Sequence, residues 1–401
     1  MSTNSTVYIA GLGVITAIGN NVPDHLDAFK NKRAGMAGIT LVDTVHKGKL
    51  PVAEVKLTNK ELIALTGLTE HNSRTALLSL AAAKEAIADA AIPNLDSLRV
   101  GLVSANTVGG MDRSEDFFVQ FLQDNSKGKL KDVYDHECGS MTEIVADKLG
   151  ITEFVTTIST ACSSSANAIF YGARLLRNDV VDVVIAGGAD SLTKFTLNGF
   201  NTLMILDEAF CKPFDQNRKG LNLGEGAGYL VLVSDKVAKT LTKPAYCTLS
   251  GYNNSNDAFH QTASSPDGTG SYLAMQGALK KSGLKPADIS YINLHGTGTP
   301  NNDSAEGTAV KRVFDPHYPP MSSTKSFTGH TLGASGGVEA VFSALAIKHK
   351  IIYPNLRFQT RMNELPFEPE THYLADQPVK HVMSNSFGFG GNCTSLIFSE
   401  V

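Results

Sequence analysis

The sequence predicts an α/β chain built of two core-sized units or of one large double unit. Short β-branched apolar runs alternate with Ala- and Leu-rich stretches along most of the 401 residues. Val180 to Ala186 is apolar at nearly every position, as in a strand covered on both faces. The composition is 42% hydrophobic against 18% charged, which supplies a sizeable core and excludes wholesale disorder.

The elements follow in order. Val7 to Thr16 is β-branched, carries glycines and reads as a buried strand. Ser73 to Ala91 has few breakers and reads as a helix. Arg99 to Ser104 is a second strand. Residues 106–145 mix Gly, Asp and Lys and show no dominant period. Phe154 to Ile158 is a strand, Ser164 to Arg177 a helix, Val180 to Ala186 a buried strand and Gly226 to Val233 another. The alternation then restarts. Ala245 to Gly251 is a strand, Ser271 to Ser282 a helix and Ile289 to Leu294 a strand that ends at His295. Asp303 to Val313 and Gly336 to Lys350 are helices. His381 to Ser386 and Ser395 to Ser399 are strands joined by a glycine turn. A strand-then-glycine opening near residue 7 has a partner near residue 247, a faint sign of duplication.

Net charge is −4, so no basic surplus exists to bind nucleic acid over a broad surface. No run of about 18 apolar residues is present, so no membrane span is expected. Met1 to Thr6 lacks the basic start of a secretory leader. The five cysteines (138, 162, 211, 247 and 393) are odd in number, scattered and free of C-x-x-C spacing. That argues against a disulfide framework or a thiolate metal site and for a reducing cytoplasm.

Four segments carry the chemistry. In Thr157 to Ala166 a strand runs through small residues into a helix and places Cys162 at the helix N-terminus. Unpaired N–H groups and the helix dipole there favour an anion, which predicts a lowered thiol pKa and a reactive sulfur. The same N–H groups suit a developing oxyanion. An ordinary buried cysteine is the competing reading. In Leu294 to Pro300, His295 ends a strand, and the hydroxyls of Thr297 and Thr299 fall on one side of an extended segment. A histidine satisfied within a tight turn is the bland alternative. In Ser323 to Gly337, His330 lies in a Gly/Ser/Thr-rich turn before a helix. Lys325, set among small polar residues, needs a carboxylate partner, and Glu306 is the candidate. In Ser384 to Asn392, Phe387 and Phe389 alternate with glycines. The Gly-Lys-Ser/Thr of a phosphate loop is missing, so the segment reads as a turn that holds a mobile aromatic beside a pocket.

These motifs, Thr160-Ala161-Cys162-Ser163-Ser164, His295-Gly296-Thr297-Gly298-Thr299-Pro300, Lys325-Ser326-Phe327-Thr328-Gly329-His330 and Asn385-Ser386-Phe387-Gly388-Phe389-Gly390-Gly391, resemble those of the elongating β-ketoacyl-acyl-carrier-protein synthases across nearly the whole chain. The resemblance implies a thiolase-like fold, two similar halves with mixed sheets in a five-layered αβαβα arrangement. Residues 1–250 would carry the nucleophile, and 251–401 the histidines and gate loop. It implies that Cys162 carries the acyl group as a thioester and that His295 and His330 assist decarboxylation of malonyl held on acyl carrier protein. Lys325 and Glu306 would organise the histidines. The N–H groups of Cys162 and Phe389 would form the oxyanion hole, and Phe389 would also be a gate. Thr297 and Thr299 would hold the pantetheine arm, with Phe387 beside the substrate. Val108 falls where family members limit acyl length, and its small size favours a longer or bulkier chain.

The resemblance implies no cofactor and no catalytic metal, and it leaves a structural monovalent cation near Glu339 open. It implies acyl carrier protein as partner and a dimer, of two copies or with a related synthase-like subunit. Residues 199–213 are shorter than in the housekeeping enzyme of fatty-acid synthesis and lack an arginine where that enzyme contacts its carrier. A different docking mode and a specialised substrate such as a polyene are the expectations. A non-catalytic partner subunit and a non-decarboxylating thiolase remain as alternatives.

Overall fold

A computed structural model describes residues 5–401. The leader reading of Met1 to Thr6 falls in part on residues 1–4, which lie outside the described residues. The strands are β1 (Tyr8–Thr16), β2 (Ala37–Gly38), β3 (Pro51–Val52), β4 (Val100–Ala105), β5 (Phe154–Ile158), β6 (Val183–Asp190), β7 (Gly226–Val233), β8 (Cys247–Asn256), β9 (Tyr291–Asn293), β10 (Met321–Ser322), β11 (His381–Phe387) and β12 (Asn392–Ser399). The helices are α1 (Val22–Lys30), α2 (Asn59–Thr66), α3 (Arg74–Ala90), α4 (Met111–Gln123), α5 (Lys131–Tyr134), α6 (Cys138–Leu149), α7 (Ser164–Arg177), α8 (Lys194–Thr202), α9 (Asp235–Ala238), α10 (Thr269–Ser282), α11 (Pro300–Phe314), α12 (Lys325–Thr328) and α13 (Ser335–His349).

All strands but β2 and β3 form one mixed sheet in the order β10-β9-β11-β12-β8-β1-β7-β6-β4-β5. Read outward from its middle, each half repeats the other. β1, β7, β6, β4 and β5 match β8, β12, β11, β9 and β10, and in both halves two antiparallel pairings are followed by two parallel ones. The halves join where Tyr8 pairs with Thr248 and Ile9 with Cys247. The repeat therefore restarts at Cys247, where the sequence hinted at it, and β8 straddles the expected division at residue 250.

The layers follow from helix composition. In α13 every residue from Ser335 to Ile347 is buried, and a helix apolar on all sides belongs in an interior. It packs on β7 and β6 of one half and on β11 and β12 of the other, and its neighbour α7 likewise touches both halves. These two helices form the middle layer. Helices α3 and α6 cover one outer face and α10 the other, with α11 beside it. The middle layer sits close to the sheet because glycines permit it. A Cβ on Gly228 would lie 2.4 Å from the Val338 nitrogen, so no larger residue fits there.

Two expectations need correction. Val180 is 45% exposed, and β6 begins at Val183. The Val180 N–H donates to Leu175 O and closes the end of α7, so the start of the apolar run serves a helix terminus. Residues 106–145, without a clear period in the sequence, form α4, α5 and α6. No residue of α4 is buried, and Phe118 and Leu122 are exposed.

Candidate active site

Four turns at strand ends converge. The first follows β5. Ala161 is forced to φ +53°, a conformation non-glycine residues adopt at a cost of roughly 1–2 kcal/mol, and this turns Cys162 inward. The turn is fastened by the Ser164 hydroxyl, which donates to Ala161 O at 2.6 Å and accepts the Thr160 N–H at 2.8 Å. Cys162 is buried, just ahead of α7.

His295 follows β9. Its N–H and that of Gly296 donate to the Glu306 carboxylate at 2.9 and 2.8 Å, which fixes the backbone that carries the ring. Its Nδ1 lies 3.2 Å from Lys325 Nζ, and the same ammonium donates to His295 O at 2.7 Å and pairs with Glu339. His330 precedes α13. Its Nδ1 accepts the Leu332 N–H at 3.0 Å and lies 3.2 Å from Ser335 Oγ.

These contacts fix the tautomers. An ammonium and a backbone N–H can only donate, so each Nδ1 accepts and each proton sits on Nε2. The two rings stand edge to face with centroids 5.4 Å apart. Cys162 Sγ and one ring nitrogen of each histidine all lie within 4.8 Å of one another. With Nδ1 engaged on both rings, the nitrogens free to face the sulfur are the protonated Nε2 atoms.

They floor a cavity of about 230 Å³. Thr297 and Thr299 line it, their hydroxyls 2.9 Å apart, as do Phe387 and Phe389. Phe200, Ile205 and Leu221 supply an apolar wall that the sequence reading did not single out. Phe389 stacks on Phe200 at 5.8 Å with the ring planes 16° apart. The N–H groups of Phe389 and of Cys162 itself both bear on the Cys162 sulfur. Val108 does not line this cavity. It is buried in the cluster behind it, packed with Leu221, Leu192 and Leu332.

Residues 4–238 match the model of the Beta-ketoacyl synthase, N-terminal domain, and residues 246–359 match that of the Beta-ketoacyl synthase, C-terminal domain. The chain belongs to the β-ketoacyl synthase family. The synthase is 32% identical over 416 residues to 3-oxoacyl-[acyl-carrier-protein] synthase 2 of Staphylococcus aureus (strain N315), covering 100% of this chain and 99% of that one. It is similar in structure to the ishigamide ketosynthase/chain length factor, with TM-score 0.93, 28% identity and 99% of each chain covered. It is also similar to the ketosynthase ApeO in complex with its chain length factor ApeC from Xenorhabdus doucetiae, with TM-score 0.85, 32% identity and coverage of 100% and 99%. The synthase is thus an acyltransferase of the elongating type in fatty-acid or polyketide synthesis.

Electrostatics of the synthase site departs from two expectations. Burial pushes the Cys162 thiol up to about 11, although the Phe389 N–H and the Lys325 charge pull it down. The lowered pKa predicted from the helix end is not realised, because desolvation outweighs the N–H groups and the lysine charge in a sulfur this deeply enclosed. Lys325 does pair with a carboxylate, but it is Glu339 of α13, not Glu306. Glu306 is occupied by the His295 and Gly296 N–H groups and by Asn385 Nδ2 at 3.2 Å. A lone glutamate in an otherwise apolar helix was the available signal for Glu339, since a charge in such a run must find a partner. Burial raises Glu306 and Glu339 each to about 7, with Lys325 opposing the rise at Glu339. Burial and the Lys325 charge hold both histidines well below the ordinary imidazole range, so they are neutral.

The Cys162, His295 and His330 atoms are spaced as a metal set would be. A metal would need the lone pair of each Nε2, and the donors at Nδ1 keep the protons on those nitrogens. The arrangement suits two N–H donors aimed at an oxygen.

Proposed function

We propose that the synthase condenses malonyl-acyl-carrier-protein with an acyl group held on Cys162. The pair of neutral imidazoles beside the thiol, lining one cavity with it, supports this most strongly. The Cys162 thiol gives up its proton as its sulfur attacks the carrier thioester, and the carrier sulfur leaves with the electron pair and takes up a proton, with the N–H groups of Cys162 and Phe389 donating to the transient oxyanion. Malonyl then enters, and its thioester oxygen accepts hydrogen bonds from His295 and His330. Its C–C bond to the carboxylate breaks, carbon dioxide leaves and the electron pair becomes an enolate. The enolate carbon attacks the acyl carbonyl, a new C–C bond forms and the Cys162 sulfur departs with the electron pair and regains a proton. Thr297 and Thr299, which line the cavity, are the proposed hydrogen-bond partners of the amides of the pantetheine arm.

Acyl carrier protein is the proposed partner, and a dimer the proposed assembly. Edge strand β5 supports the dimer, because it leaves one row of backbone groups unpaired. Val108, small and behind the apolar wall, supports a longer or bulkier acyl chain such as a polyene. Faster extension of saturated than of polyene-loaded carriers would overturn that substrate reading. The five free cysteines support a reducing cytoplasm, and among the described residues no helix is long and apolar enough to cross a membrane.

A monovalent cation near Glu339 is also part of the proposal. Glu339 Oε2, Asn293 Oδ1 and Ser386 Oγ are each buried without a hydrogen-bond partner among the described residues, and unpartnered oxygens of this kind suit a hard cation. Potassium chloride is expected to raise the melting temperature above that in tetramethylammonium chloride at equal ionic strength. Equal melting temperatures would remove the cation.

The function itself is tested by carbon dioxide release from malonyl carrier by an acyl-loaded enzyme. Release with formation of β-ketoacyl carrier is expected. Condensation without malonate would point to a thiolase, and absence of any acyl adduct to a non-catalytic partner subunit.

A further inference from the structure

Behind the nucleophile turn lies a cluster of side-chain amides that the chemistry above does not use. Asn392, the first residue of β12, places its Oδ1 where three donors meet. They are Ser163 Oγ at 2.8 Å, whose one proton is shared with Thr160 O at 2.8 Å, Asn167 Nδ2 at 2.8 Å and Asn254 Nδ2 at 2.7 Å. Ser163 follows the nucleophile, Asn167 lies one turn into α7 and Asn254 belongs to β8. The amides are cross-linked. Asn167 Nδ2 also donates to Thr160 Oγ1 at 2.8 Å, and Asn167 Oδ1 accepts from Thr394 Oγ1 at 2.6 Å.

The backbone of Asn392 faces the opposite way. Its carbonyl accepts the Gly388 N–H at 2.8 Å and closes the hairpin that carries Phe389. A Cβ on Gly388 would lie 3.0 Å from Thr160 O and 3.1 Å from the Cys162 nitrogen, so the hairpin backbone rests against the nucleophile turn. One residue thus grips the segment bearing the Cys162 N–H through its side chain and the segment bearing the Phe389 N–H through its main chain.

We infer that Asn392 is a positioning residue that holds the N–H groups of Cys162 and Phe389 on one point, and that it governs acyl transfer to and from Cys162 while leaving malonyl decarboxylation to the histidines. The inference rests on the proposed function. His295 and His330 are anchored by Glu306, Lys325 and Leu332, none of which contacts this cluster through a hydrogen bond. Oxyanion stabilisation and enolate stabilisation therefore hang from supports that share none of these hydrogen bonds and meet at β11, where Asn385 donates to Glu306, so a change at Asn392 disturbs chiefly the first.

Asn392→Leu keeps the side-chain size and removes the acceptor. The test measures two rates. The first is acylation of Cys162 by octanoyl carrier protein, followed as a mass shift. The second is carbon dioxide release from malonyl carrier in a Cys162→Gln background, where no acylation is needed. Acylation should fall about 100-fold, as loss of an oxyanion donor does elsewhere, while decarboxylation stays within about threefold of its Cys162→Gln parent. Ser163→Ala removes one link only and should show the same split at about tenfold or less. It carries the test if Asn392→Leu does not fold. Parallel losses of both rates, or acylation by Asn392→Leu within about threefold of the parent, would overturn the inference. A parent enzyme that takes up no acyl group would overturn the proposed function and this inference with it. A parent that acylates normally, beside an Asn392→Leu that does the same, would overturn this inference alone.

Discussion

The two halves of the sheet share one topology and divide the chemistry between equivalent turns. Ala161 and Leu332 each stand three residues before a central helix, at φ +53° and +52°. The residue after each is Cys162 in one half and Gly333 in the other. The Gly333 N–H is taken by the buried Asp190 carboxylate at 2.7 Å, and a Cβ there would lie 2.8 Å from Asp190 Oδ2. At the end of β11, the strand equivalent to the one that bears Asp190, the chain offers no carboxylate. It offers the Gly388–Phe389 backbone, which rests against the nucleophile turn, a Cβ on Gly388 lying 3.1 Å from the Cys162 nitrogen. One copy of the turn is sealed by a fixed acceptor. The other opens onto the cavity. The comparison teaches that strained entry into a buried helix is the scaffold, and that the residue opposite it decides whether the turn is structural or reactive.

The largest expected effect breaks the asymmetry outright. Cys162→Ala should lower condensation by about 10⁴-fold or more, as loss of a nucleophile does elsewhere. Cys162→Gln should retain carbon dioxide release, because the histidine supports are separate. Steady-state product formation and carbon dioxide release check both. Strong condensation by Cys162→Ala would contradict the assignment.

The second effect concerns the lysine that only the histidine half contains. Lys325→Met leaves Glu339 buried without its partner, which should destabilise the fold by about 3–5 kcal/mol. Adding Glu339→Leu should restore most of that loss. Urea unfolding of the single and double variants measures it, and equal losses would show that the pair does not compensate its burial.

The third sharpens the electrostatic reading. The native thiol lies at about 11, above the ordinary value, so Cys162 is protonated at neutral pH and its alkylation should rise with pH through about pH 9 without levelling. Iodoacetamide labelling followed by peptide mass spectrometry reads this. A plateau reached below about pH 8 would mean a thiolate stabilised beyond what burial allows.

The smallest effect compares the two strained turns directly. Ala161→Gly and Leu332→Gly each relieve a left-handed residue by about 1–2 kcal/mol but also loosen the unfolded chain. Ala161→Gly should leave stability within about 1 kcal/mol of the parent. Leu332→Gly also deletes a buried side chain and should cost about 2–4 kcal/mol. Equal changes at both sites would mean that Leu332 serves only its turn.

Much of this was legible in the sequence. The β-branched runs at β1, β7 and β11, the unbroken helix α7 and the small-residue turns around Cys162, His295 and His330 depend on local pattern, which is where local reading succeeds. The partner of Lys325 was not legible, because Glu306 and Glu339 are both single carboxylates on helices and only packing separates them. The Cys162 pKa was misjudged for a related reason: the helix end is visible in the sequence, and the depth of burial is not. Helix α4 escaped notice although its apolar residues gather on one side, because the Gly-, Asp- and Lys-rich sequence around it obscures the period. Asn167, Asn254 and Asn392 are scattered along the chain, and no spacing rule brings three amides to one oxygen.

The most direct test is peptide-mapped mass spectrometry of the enzyme after an acyl carrier and then malonyl carrier are added. The account predicts an acyl adduct on Cys162 that disappears as carbon dioxide and β-ketoacyl carrier form. An adduct on another residue, or one on Cys162 that malonyl carrier cannot discharge, would contradict it.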